Sequence, residues 1–261
     1  MDLGDILSRM GTGSWWAKLE RAREHIVQFA EAAAECVQVR PDDMTMEGDT
    51  NVGDGVFVTQ SVTITTRPIP DRLSAIAGDA FHNLRAALDH IAVALTHNDR
   101  AAFVIVSSQS DGRLRELERF LEAVPREARA LISRVQPYRA EDPETQPPAI
   151  LQQLDNLDKH RSLVLVAAYF RTESAEPLES PEARVHAVRL GSGIGGAGLQ
   201  ELFSLDLTIP QGASLSVAFT IRGELTFGAE GPLRGKSVVD TFQGLYRFTS
   251  SLLSDLEKSV A

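Results

Sequence analysis

Residues 78–90, GDAFHNLRAALDH, carry Asp79, His82, Asn83, Arg85, Asp89 and His90 in one short run, without the Lys and Glu that ordinarily fill a solvated helix face. A helix advances about 100° per residue, which separates the polar from the apolar side chains. Asp79, Asn83, His90 and, further on, His97 fall within about 40° of one another, with His82 and Asp89 roughly 60–80° to one side. Opposite them Leu73, Ala77, Ala80, Leu84, Leu88, Ile91 and Leu95 form a continuous apolar stripe. The stripe predicts a helix opened by Pro70 and Asp71, packed by one face and running to about Asn98. Ala86 leaves room between the large polar residues. Gly78 costs about 1 kcal/mol relative to Ala inside a helix, and lets a neighbouring backbone or ligand approach.

Working outward, Trp16, Leu19, Ala22, Ile26, Phe29, Ala33 and Val37 recur at helical spacing, with Ser14 as N-cap and Pro41 past the end. PDDMTMEGDTNVGDG (41–55) reads as a turn-rich connection and VFVTQSVTITTRPIP (56–70) as a strand or hairpin. AAFVIVSS (101–108) reads as a short strand, residues 111–135 as one or two helices broken at Pro125, and QPYRAEDPETQPP (136–148) as a proline-rich loop. A short helix, AILQQLDNLDKHR (149–161), precedes a buried strand, SLVLVAAYF (162–170), and the loop RTESAEPLESPEA (171–183). RVHAVRL (184–190), LFSLDLTIP (202–210) and ASLSVAFTIRGELTFG (213–228) have period two and predict an antiparallel meander. The G-x-G-x-x-G at Gly191, Gly193 and Gly196 lies between strands with no parallel βαβ unit, so it reads as a hairpin loop and not a dinucleotide fingerprint. Ser237–Val260 places Val238, Phe242, Leu245, Thr249, Leu252 and Leu256 on one helical face.

The expected fold is therefore α+β, a helical bundle around the central motif helix with a mainly antiparallel sheet on one side. We expect a single elaborated domain over 1–261, with a helix-rich, motif-bearing part at 14–165 and the meander plus C-terminal helix at 166–261.

Hydrophobic content of 43% and charged content of 24% over 261 residues are those of a soluble globular protein with an ample core. A net charge of −10 and a pI near 5.1 speak against binding long duplex DNA, where neutralising phosphates supplies most of the affinity. One cysteine, Cys36, cannot form an internal disulfide and reads as a buried inert thiol. No stretch is apolar enough to span a membrane, and no basic region followed by an apolar run opens the chain, so the cytoplasm is expected. The arginines between Arg113 and Arg139 are interspersed with Glu116, Glu118, Glu122 and Glu127, the pattern of a solvated, ion-paired face.

Two clusters are candidates for chemistry. The first is the polar face of the motif helix. Arg supplies a fixed cation for phosphate, His transfers protons near neutrality, and Asp orients it. The second is LDNLDKHR, with Asp155, Asn156, Asp158, Lys159, His160 and Arg161 at a helix end. A purely structural alternative accounts for both: a buried hydrogen-bond network on the first helix, and basic residues at the negative end of the second helix dipole.

The run Gly78–His90, then Gln136-Pro137-Tyr138, then Asp158-Lys159-His160-Arg161 resembles a set of uncharacterised bacterial proteins that share GD-x-x-HNLR-x-ALDH, QPY and DKHR, over about Trp15 to Leu165. Arg85-x4-His90 also resembles the R-x4–6-H signature of HEPN domains, helical bundles many of which are metal-independent ribonucleases of toxin–antitoxin and antiphage systems. That resemblance implies Arg85 on phosphate and His90 in acid–base chemistry, supported by Asp79, Asn83 and His160. It also implies RNA, a second copy of the chain in a homodimer, and a cognate antitoxin or defence partner. The chain departs from it at Ala86, where HEPN enzymes commonly have a polar residue, and Arg85 and His90 lie about 140° apart on an ideal helix. A second class is a metal-dependent hydrolase with Asp79, His82, His90, Asp158 and His160 as ligands, although no H-x-x-x-H, E-x-x-H or H-E-x-x-H spacing is present. A third is a non-catalytic binding module whose polar helix face is structural. No motif calls for a cofactor.

Overall fold

The apolar stripe of the motif segment forms the buried face of one long helix, α2. We describe the protein from a computed structural model, which covers residues 13–38, 44–53, 55–66, 68–108, 112–160, 165–178, 184–190, 192–194, 198–209, 216–228 and 233–259. Its helices are α1 (Ser14–Cys36), α2 (Asp71–Thr96), α3 (Leu114–Ala123), α4 (Arg126–Arg134), α5 (Pro147–His160) and α6 (Val238–Glu257). Its strands are β1 (Met44–Gly53), β2 (Gly55–Thr66), β3 (Leu165–Leu178), β4 (Arg184–Leu190), β5 (Ser192–Ile194), β6 (Gly198–Ile209) and β7 (Ser216–Phe227). The chain divides into two compact units, one of Met1–Ala30, Asp71–Leu163 and Val239–Ala261, the other of Glu31–Pro70 and Val164–Val238.

In the first unit, Leu73, Ala77, Ala80, Leu84, Leu88, Ile91 and Leu95 of α2 are all buried. Burial of each leucine or isoleucine contributes roughly 1.5–3 kcal/mol, so this face is enough to dock the helix. Phe81 stacks on Phe242 of α6 with ring centroids 4.6 Å apart, and Phe242 meets Phe29 of α1 edge-on at 5.2 Å. Those rings lock the three helices together. Trp16 Nε1 donates to Glu257 Oε1 at 2.8 Å, tying the start of α1 to the end of α6. The motif helix stops at Thr96 because His97 turns left-handed at φ 52°, a helix-ending conformation usually taken by Gly or Asn. His97 therefore leaves the polar line in which helical spacing had placed it.

Pro125 separates α3 from α4 as expected from its missing N–H. The proline-rich loop is partly ordered into 3-10 turns at Pro137–Arg139 and Pro143–Thr145. Pro147 and Pro148 form the first turn of α5, where their N–H groups are not needed.

The expectation of an α+β fold, one bundle carrying a mainly antiparallel sheet on its side, is corrected. The unit that holds the motif helix is built from helices. Its extended segment at 101–108, read as a strand, pairs with no other strand among the described residues. Period-two alternation and β-branched residues favour extended backbone, but a strand also needs a partner, and this segment finds side chains in place of one.

The strands belong to the second unit and form two antiparallel sheets, ordered β1-β2-β6-β4 and β5-β3-β7. The expected meander of consecutive neighbours is also corrected, since β6 pairs with β2 and β4 whereas β7 pairs with β3. β1 occupies most of the stretch read as a connection. It pairs with β2 from Met44↔Ile64 to Gly53↔Gly55, so cross-strand bonding overrides the poor strand propensity of its Asp, Asn and Gly residues. β3 likewise runs on to Leu178 through residues read as loop. Within the glycine-rich stretch Ser192–Ile194 pair with Arg171–Tyr169 of β3, which gives Gly193 a place in a sheet.

Candidate functional site

The α2 side chains divide by what they touch. Arg85 and Asp89, one turn apart, reach the extended segment at 101–108, where Phe103, Val104, Ile105 and Val106 are buried. Buried backbone needs partners for its N–H and C=O groups. Here they come mostly from side chains. Asp89 Oδ1 accepts from the Phe103 N–H at 2.8 Å, and Arg85 Nη2 donates to Phe103 O at 2.6 Å. Gln136, just after α4, accepts from the Val106 N–H at 2.9 Å through Oε1 and donates to Val104 O at 3.0 Å through Nε2. The Tyr138 N–H donates to Val106 O at 3.0 Å, and Arg113 Nη1 reaches Ile105 O at 3.4 Å. Arg85, Asp89 and Gln136 thus stand where neighbouring strands would stand in a sheet.

Arg85 is a largely buried cation beside a carboxylate. Its side chain is 11% exposed, and Nη2 also donates to Asp89 Oδ1 at 2.9 Å. Burial lowers its pKa from the ordinary value, the carboxylates of Asp89 and Asp155 oppose that, and Arg113 adds to it. Nη1 is buried and meets no hydrogen-bond partner among the described residues. A guanidinium held this way is a structural donor, aimed at a backbone carbonyl and a neighbouring carboxylate.

The two sequence clusters do meet, through α2 and α5. His82 Nδ1 lies 3.2 Å from Asp155 Oδ1, with Asp155 buried and the His82 side chain about half exposed. Gly78 faces the Asp158 carboxylate so closely that a Cβ at this position would collide with it. The close approach anticipated from Gly78 is thus a helix–helix contact, and Asp155 and Asp158 are the residues that make it.

The remaining candidates do not converge. Asp79 is exposed. Asn83 is buried, yet its Nδ2 donates to Asp79 O at 2.8 Å, back onto its own helix. His90 is half-buried and shares a 3.0 Å hydrogen bond between Nδ1 and Ser14 Oγ at the start of α1. His160 closes α5, but its side chain lies outside the described residues, as does Arg161. No group of three or more His, Cys, Asp or Glu is placed to hold a metal among the described residues, so Asp79, His82, His90 and Asp158 form no such cluster there. Several arginines of the 113–139 stretch are held locally: Arg113 pairs with Glu116 at 3.0 Å, and Arg129 donates to Val124 O and Glu122 O.

These contacts correct the HEPN-like ribonuclease reading. Arg85 is taken up by Asp89 and Phe103 O while His90 bonds to Ser14, so the two do not act on one point. The toxin–antitoxin, antiphage-defence and dimer expectations rested on that resemblance and have no other support. Sequence reasoning passed over Gln136 as a donor and acceptor for buried backbone. It also passed over His25, buried in α1 with Nδ1 unpartnered among the described residues. The usable signal was the FVIV run at 103–106, four apolar residues that cannot all face one side of a sheet. No helix among the described residues is long and apolar enough to cross a membrane. Compared with known proteins, the chain matches no family model, no curated protein and no solved structure.

Proposed function

We propose that this chain is a non-catalytic binding module in which the polar face of α2 is structural. The observation that carries the reading is the occupation of Arg85. Its Nη2 is shared between Asp89 and Phe103 O, and the same Asp89 oxygen accepts from the Phe103 N–H. A phosphate-binding arginine needs its planar donor edge turned to the ligand, whereas Nη2 of this one is turned to a backbone carbonyl and a carboxylate and its Nη1, unpartnered among the described residues, is buried. One cysteine suits a reducing compartment, and we place the module in the cytoplasm.

The reading is tested by incubating purified wild-type protein with single-stranded RNA, with and without EDTA and with added Zn or Mn. No cleavage is expected under any of these conditions. Arg85→Lys should lower the melting temperature, because an ammonium cannot span the carbonyl and carboxylate as the guanidinium does. His90→Ala should melt close to wild type, since its contact is with a surface serine. RNA cleavage that His90→Ala abolishes without loss of fold would overturn the proposal.

A further inference from the structure

We draw no further inference here: the strongest candidate, the half-exposed His82 held by buried Asp155 on the seam between α2 and α5, belongs to the helix–helix contact already described, and nothing among the described residues shows what ligand would meet its imidazole.

Discussion

Replacing Gln136 by Leu isolates the support of the unpaired extended segment. Leu is close to Gln in size and 136 is a buried position, so the cavity left behind is small and the main loss is polar. Two buried backbone groups of the extended segment lose their partners, the Val106 N–H at 2.9 Å and Val104 O at 3.0 Å, and Ile132 O at the end of α4 loses a longer bond of 3.3 Å. Each such group left unsatisfied costs about 1–3 kcal/mol, which sums to about 2–6 kcal/mol for the substitution. That is a large part of the roughly 5–15 kcal/mol by which domains are stable. Because the chain divides into two units, a single denaturation curve need not be two-state. The assay is therefore residue-resolved hydrogen exchange, with the Val106 and Tyr138 amides as probes and urea unfolding of the whole protein alongside. Exchange at Val106 should accelerate by at least about a hundredfold, the equivalent of roughly 2.7 kcal/mol. Gln146→Leu is the control, since Gln146 donates to Asp142 O at 3.2 Å in an exposed position, and it should stay within about 0.5 kcal/mol of wild type. Equal protection of Val106 in both variants would refute the idea that side chains stand in for a neighbouring strand.

Gly78→Ala should destabilise the helical unit although Ala gains about 1 kcal/mol of helix propensity, because the new methyl group meets the Asp158 carboxylate. Adding Asp158→Ala should recover stability, and a melt showing Gly78→Ala alone to be stabilising would contradict the close approach. His97→Gly should raise stability by about 0.5–1 kcal/mol by removing the cost of a left-handed non-glycine residue, read from the urea midpoint; a drop would mean that the imidazole holds the turn. Tyr246 has its pKa raised from 10.0, first by burial and next by Glu20, with Arg23 opposing. A raised folded pKa means that the neutral phenol is favoured in the fold, so its stabilisation is complete below pH 10 and is lost as pH rises through the folded value. Unfolding midpoints should therefore fall above about pH 10, and Tyr246→Phe should flatten that fall.

The helical half of the protein was legible wherever one residue's environment follows from its near neighbours. The seven-residue apolar stripe of α2, the break at Pro125 and the amphipathic C-terminal helix all rest on contacts or bonds within a few residues in the chain. The strand-rich half was legible in its alternation but not in its partners. Whether β6 pairs with β7 or with β2 depends on residues more than a hundred positions away, and β1 is a strand only because β2 lies beside it.

The candidate site shows the same division. From the sequence alone, α2 had to be a packed helix with a second, polar face lacking Lys and Glu, and Gly78 had to mark a close approach. What that face does was decided by tertiary structure. Arg85 meets a carbonyl 18 residues away, Asp89 an amide 14 away, and Gln136 serves backbone groups 30 and 32 residues before it. The same Arg, Asp and His side chains can bind phosphate, orient a base or satisfy backbone, and side-chain type does not choose among these. The choice falls to whichever buried partner the fold brings within 3 Å, because an unpaired polar group in a dry interior costs more than any preference written in local spacing.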